Sequence, residues 1–188
     1  MLSIAARYAS SVFQKAKEKN QIEEVMKDLE QFIKLLEKNK NIAELWNSLS
    51  ISPFDKEEII LKKIELSEIT KKFLKLILLK KRQKLLPKIF YYYKLMYNNQ
   101  NKILEVDIKT AFQINNQELE KIIKTIEEKL SIKIKIKNIH VDKEILGGIV
   151  LMSDNLVLDL SVKKDLDKLL KNVEEVINNK LSSIKILS

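Results

Sequence analysis

The sequence predicts an α+β chain: an N-terminal six-helix bundle followed by a small C-terminal β-sheet and hairpin with flanking helices. Three observations carry that reading. Apolar residues recur every three or four positions up to about residue 100, the period of a helix that buries one face. From Leu104 the period drops to two, with Leu104, Val106 and Ile108 alternating with Glu105, Asp107 and Lys109. The chain's two glycines, Gly147 and Gly148, then stand side by side before two short apolar runs joined by Asp154-Asn155. That is the pattern of a β-hairpin, with glycine supplying the structural turn at its entrance.

Taken in order, Ser3 is placed to cap a first helix whose apolar positions are Ile4, Tyr8, Val12 and Phe13. Ala5, Ala9 and Ala16 beside them leave one side low enough for a close neighbour. A second helix is expected from about Ile22 to Asn39, with Val25, Met26, Leu29, Phe32, Ile33 and Leu36 forming one broad stripe. Ile42, Leu45, Trp46 and Leu49 suggest a short third helix, with Trp46 as a core residue. Ser52-Pro53-Phe54-Asp55 is a start signal: an N-cap serine, proline at the first helical position and an acid in the first turn. The helix it opens carries Ile59, Ile60 and Ile64. Ser67 caps a fifth, with Ile69, Phe73, Leu74, Leu76, Ile77 and Leu79, and Leu86-Pro87 opens a sixth that ends among Asn98, Asn99 and Asn101. Short connections between short helices make a bundle.

Beyond the strand at Leu104, Asn115 or Asn116 starts a helix bearing Leu119, Ile122, Ile123, Ile126 and Leu130. Ile132, Ile134 and Ile136 alternate with lysines in a second strand with one charged face. The hairpin follows, and a last helix is expected from Val162 with Leu166, Leu169, Leu170, Val173, Val176 and Ile177. The expected domains are 1–100, helical, and 101–188, mixed, with the boundary between about Asn98 and Lys102.

Composition narrows the chemistry. There is no cysteine, which excludes disulfides, thiolate catalysis and cysteine-based metal centres. The single histidine, His140, makes no metal cluster and has no triad partners in pattern. Neither glycine lies in a phosphate-binding loop. Asp142, Glu144, Asp154 and Asp159 are close in sequence, but turns and caps account for them more simply than acid–base chemistry. No catalytic, metal or cofactor residue is expected. The net charge of +9 raises the alternative of a basic nucleic-acid-binding module. Against it, lysines are spread along the chain and interleaved with 26 acids. Lys80-Lys81-Arg82 near Tyr91-Tyr92-Tyr93 imitates a stacking platform, but three consecutive helical rings point three ways. No apolar run approaches the roughly 20 residues that cross a bilayer. The first seventeen residues, basic and without acid, read as an amphipathic helix rather than a transit peptide.

From Val141 onward the order VDKEILGGIVL, a turn, then LVLDLSVKKDLDKL resembles the C-terminal signature of the F-type ATP synthase delta subunit family, whose mitochondrial member is the oligomycin-sensitivity-conferring protein. Arg7-Tyr8-Ala9 with Phe13 and Ala16, and Phe73-Leu74-Lys75-Leu76 leading to Leu85-Leu86-Pro87, resemble the same family, so the likeness spans nearly the whole chain. It departs at Leu160, where the family has glycine, and at Lys80-Lys81, where it tends towards Glu-Asn. The resemblance implies a non-catalytic clamp of the peripheral stalk, which holds the catalytic head against rotor torque so that proton flow drives ATP synthesis. It implies two partners, with no nucleic acid and with membrane association only through the complex, on the cytoplasmic face in a bacterium or the matrix side in an organelle. N-terminal helices of alpha subunits would enter a groove between helices one and five at Tyr8, Ser11, Val12, Lys15, Leu76, Leu79 and Lys80. C-terminal ends of b subunits would meet Ile149, Leu151, Leu166, Leu169, Leu170 and Val173.

Overall fold

Serine hydroxyls start three of the helices. In the computed structural model, which describes residues 3–142, 148–154 and 156–160, Ser3 accepts the Ala6 amide at 3.2 Å and opens α1 (Ile4–Glu18). Ser52 accepts the Asp55 amide at 3.1 Å and opens α4 (Pro53–Ile59), with Pro53 at the first turn where its missing N–H costs nothing. Ser67 opens α5 (Glu68–Leu79) by accepting from Thr70. Between them lie α2 (Ile22–Lys38) and α3 (Lys40–Asn47), and α6 (Leu86–Gln100) follows α5 after a 3₁₀ turn at Gln83–Leu85. The fourth helix is shorter than its isoleucines suggest: it ends at Ile59, and Leu61–Lys63 tightens into a 3₁₀ turn before Ile64. The sixth is longer, because Asn98 and Asn99 continue it rather than stop it.

These helices share one apolar core. Ala5, Ala9 and Ala16 are buried, so α1 lies close on its neighbours, and Phe32 meets Trp46 edge to face with ring centroids 4.9 Å apart. Among the polar side chains buried in the same unit, Asp28, Tyr93 and Lys56 are each held by partners. Asp28 accepts from the Ser67 amide at 2.8 Å and from its hydroxyl at 2.6 Å, tying α2 to the start of α5. Tyr93 donates to the Ile22 carbonyl at 3.0 Å; burial first, and the Asp28 charge second, push its phenol above the usual range and keep it a donor.

Lys56 is 1% exposed and its Nζ donates to the carbonyls of Trp46, at 2.9 Å, and Ser48. It thus caps the C-terminal end of α3 from α4, where orphan carbonyls and the helix dipole both favour a donor cation. Burial pushes its pKa down from 10.5. The unfolded chain therefore holds the extra proton in the window just below pH 10.5, and this group's contribution to stability rises with pH through that window. Lys56→Met keeps the buried stem and removes the cap. Its expected cost is about 1–2 kcal/mol by denaturant titration, with a flatter stability profile just below pH 10.5.

Contacts divide the chain into two units, Met1–Tyr97 and Asn98–Ser188. In the second, β1 (Ile103–Thr110) is followed by α7 (Asn116–Leu130), β2 (Lys133–Val141), β3 (Ile149–Ser153) and β4 (Leu156–Asp159). Strand order is β2-β1-β3-β4, with β1 parallel to β2 and antiparallel to β3. Two parallel strands need a crossover, and α7 supplies it. Asn115 caps α7 by accepting the Gln117 amide at 3.1 Å. Leu119, Ile123 and Ile126 of that helix pack on Val106 and Ile108 of β1 and on Ile149, Leu151 and Leu158 of the hairpin. Gly148 enters β3 with φ at 93°, a backbone that a Cβ would oppose. The hairpin register closes on Ser153 opposite Leu156, with Asp154-Asn155 between. Among the described residues the architecture is therefore mixed, seven α-helices with one four-stranded sheet.

One strand departs from expectation. β2 reaches past the Ile-Lys alternation to Val141, and a bulge opposite Val106 and Asp107 sets Lys137 out of register. Its isoleucine face stays largely open, with Ile136 and Ile139 exposed and Ile134 half-buried. β2 stands at the border of the sheet, with β1 as its one neighbouring strand among the described residues.

Candidate functional site

Between α1 and α5 lies a groove of about 980 Å³. The smooth alanine side of α1 packs inward, which turns Ile4, Arg7, Ser11 and Lys15 towards this opening. On α5, Ile69, Phe73, Leu76 and Lys80 are spaced four, three and four apart, so they form one stripe along the opposite wall. The cap at Ser67, held by Asp28, sets where that wall begins.

Tyr8 is the aromatic centre of the groove. Its ring meets Phe73 at a centroid distance of 6.4 Å. The Arg82 guanidinium lies 5.1 Å from its centroid and donates to its hydroxyl at 2.8 Å. One arginine therefore grips the ring by its face and its oxygen together. Tyr8 is near the start of α1 and Arg82 is just past the end of α5, so the two helices run in opposite senses. Leu76 and Ile4 are 40% and 41% exposed, unusual for aliphatic side chains beside a well-formed core.

Of the seven groove residues expected from sequence, Tyr8, Ser11, Val12, Lys15, Leu76 and Lys80 line the opening, with Val12 buried in its floor. Leu79 does not. Seen down the helix it lies about 90° from the stripe of Ile69, Phe73, Leu76 and Lys80, and it is exposed. Sequence reasoning missed Ile69, Phe73 and Arg82 as groove residues. The first two share the three-and-four spacing with Leu76 and were legible in principle. Arg82 meets Tyr8 across 74 positions, and nothing local announces it.

In the second unit Ile149 and Leu151 are 5% and 1% exposed and serve that unit's own core, so little of either side chain is left open to a partner. β3 runs between β1 and β4, so its inward side chains are spent on α7. Leu166, Leu169, Leu170, Val173 and the last expected helix lie outside the described residues, as does Gly147. Of the three consecutive tyrosines, Tyr93 is fully buried while Tyr91 and Tyr92 meet edge to face with ring centroids 5.5 Å apart, so the three offer no joint platform for nucleic-acid bases. Among the described residues no three His, Asp or Glu side chains meet to hold a metal ion. Among those residues, too, no helix is long and apolar enough to cross a membrane.

Comparison with known proteins points to one family. The family model described as the ATP synthase delta (OSCP) subunit matches residues 4–173. The chain is 31% identical over 177 residues to the ATP synthase subunit delta of Rickettsia bellii (strain OSU 85-389), covering 92% of this chain and 93% of the relative. It is equally 31% identical over 179 residues to the subunit delta of Clostridioides difficile (strain 630), covering 93% and 98%. Among solved structures, a chain of the Toxoplasma gondii mitochondrial ATP synthase hexamer superposes with a TM-score of 0.67 at 22% identity, over 92% of this chain and 98% of that one. At that identity the match speaks for the fold.

Proposed function

The chain belongs to the ATP synthase delta (OSCP) subunit family, and from that premise we propose that its α1–α5 groove receives the N-terminal helix of an alpha subunit while its second unit receives the C-terminal end of a b subunit. Delta is a structural, non-catalytic component of the peripheral stalk of ATP synthase. A stalk component must hold its neighbours under load, and it needs shaped apolar surfaces rather than reactive groups. In this reading the six N-terminal helices act as one bundle, the domain of residues 1–100, and residues 101–188 form the second attachment. Membrane association runs through the complex, on the cytoplasmic face in a bacterium or the matrix side in an organelle.

The observation that carries the reading is the groove itself. Ile4, Tyr8, Ile69, Phe73 and Leu76 offer apolar contacts at helical spacing, and Leu76 and Ile4 stay exposed beside a packed core. An amphipathic helix fills such a groove with anchors at three- and four-residue intervals. Two attachments also make torque resistance economical: each needs only an ordinary interface of about 1,600 Å², because the first raises the effective concentration of the second.

Titration calorimetry of the full chain with a synthetic alpha N-terminal peptide tests the groove. We expect one-to-one binding at about micromolar Kd or tighter, about −8 kcal/mol. Absence of heat at high micromolar peptide would overturn it.

A further inference from the structure

The groove's rim is charged in one sense. Six cations line it (Arg7, Lys15, Lys19, Lys72, Lys80 and Arg82) against two carboxylates, Glu24 and Glu68. The charges are also unevenly placed. Glu68 and Glu24 sit at the end where α5 begins, where Lys72 pairs with Glu68 at 2.8 Å and Lys15 with Glu18 at 2.8 Å. At the opposite end, where α5 finishes, Arg7, Lys80 and Arg82 converge with no carboxylate among the lining residues.

We propose that the groove selects an amphipathic helix whose apolar stripe is flanked by acidic residues, concentrated over the Arg7–Lys80–Arg82 end. This rests on reading the groove as a helix-docking site and adds to it the chemistry of the occupant. From Ile4 to Lys15 the α1 wall runs about 17 Å at 1.5 Å per residue, so the occupant spans roughly three to four turns and sets about four apolar anchors along it. Cations on both flanks leave such a helix two lines of contact on which acids are favoured and lysines repelled. Arg82 contributes its charge while already fixed on Tyr8, so little side-chain freedom is lost when an acid arrives. A second copy of this chain would have to offer an acid-flanked helix, yet the exposed rim of its α1 is basic, with Arg7, Lys15 and Lys17. Like charges oppose that pairing.

The test uses the full chain and three helical peptides that share one apolar stripe and carry glutamate, glutamine or lysine at the flanks. Anisotropy is read at about 50 mM and about 500 mM salt, a span over which the screening length falls severalfold. The glutamate peptide is expected to bind roughly tenfold tighter than the glutamine peptide at low salt, with the advantage shrinking at high salt, and the lysine peptide weakest. The double variant Arg7→Glu, Lys80→Glu should lose roughly tenfold for the glutamate peptide and little for the glutamine peptide. The equal charge change Lys38→Glu, Lys124→Glu, away from the groove, should lose neither. Equal binding of the glutamate and glutamine peptides at both salts would overturn the charge selection while leaving helix docking intact. Loss of binding by all three would overturn both readings. A chain that self-associates and releases peptide as it does so would give the groove to a second copy and overturn the proposal.

Discussion

Replacing Leu76 with aspartate is expected to weaken binding of the alpha N-terminal peptide roughly a hundredfold while the chain stays folded, its melting temperature lowered by no more than about 10 °C. The two halves of that expectation have separate causes. Leu76 is 40% exposed on the middle of α5, so its loss removes little from the core. In the occupied groove the same side chain would be covered, and burying a leucine stabilises by about 1.5–3 kcal/mol. An aspartate there forfeits that and must also lose water against an apolar stripe, a further cost of about 1–3 kcal/mol. Because only the exposed two-fifths of Leu76 is left to cover, the two costs together come to about 1.6–4.2 kcal/mol, around the roughly 2.7 kcal/mol that corresponds to a hundredfold. The companion variant Leu79→Asp makes the result diagnostic. Leu79 is more exposed still but lies off the stripe, so its affinity should stay within about twofold of the parent. Equal weakening by both variants would place the docking surface on the wrong side of α5.

Asp28→Ala should cost about 3 kcal/mol of folding stability, which for a unit of this size lowers the melting temperature by roughly 10–20 °C. The carboxylate accepts two hydrogen bonds from Ser67, one from its amide and one from its hydroxyl, and it does so at 8% exposure. Removing it leaves a partly buried amide without an acceptor and frees the serine that caps α5. Asp28→Asn, which keeps an acceptor oxygen but not the charge, should lose about half as much. Scanning calorimetry of the two variants separates the contributions, and a melting temperature unmoved by the alanine would show that the cap stands without its brace. The groove depends on the same brace, because Ser67 fixes where α5 begins.

What could be read from the sequence was local. Ser3, Ser52, Ser67 and Asn115 cap helices as expected because a cap is a contact between residues two or three apart. Trp46 is buried as expected, edge to face on Phe32. Most of the groove was legible for a related reason: a stripe at three- and four-residue spacing fixes which side chains share a face before any partner is known. Most of the failures involve distance along the chain. Whether Ile149 and Leu151 face a partner or the protein's own helix depends on β3 lying between β1 and β4, an order that no spacing encodes. The open face of β2 has the same origin, since an Ile-Lys alternation reads alike at the border and in the middle of a sheet. Nothing in the local spacing marks Lys56, whose ammonium ends on the carbonyls of Trp46 and Ser48, ten and eight positions back. Leu76 and Leu79 show the finest case: both are apolar and exposed, and one hundred-degree step per residue decides that only the first faces the groove.

The bulged border strand has a consequence of its own. Open sheet margins invite a second molecule to continue the ladder, and the outcome of that invitation is fibrous clumping. Here Lys133, Lys135 and Lys137 crowd the margin, and the kink at Lys137 breaks the straight run of amides that a newcomer would need. At the other margin β4 is only four residues long, too brief to template much. Two molecules meeting margin to margin would face like charge and mismatched hydrogen bonds, so the sheet is guarded against its own kind while its owner waits to be assembled.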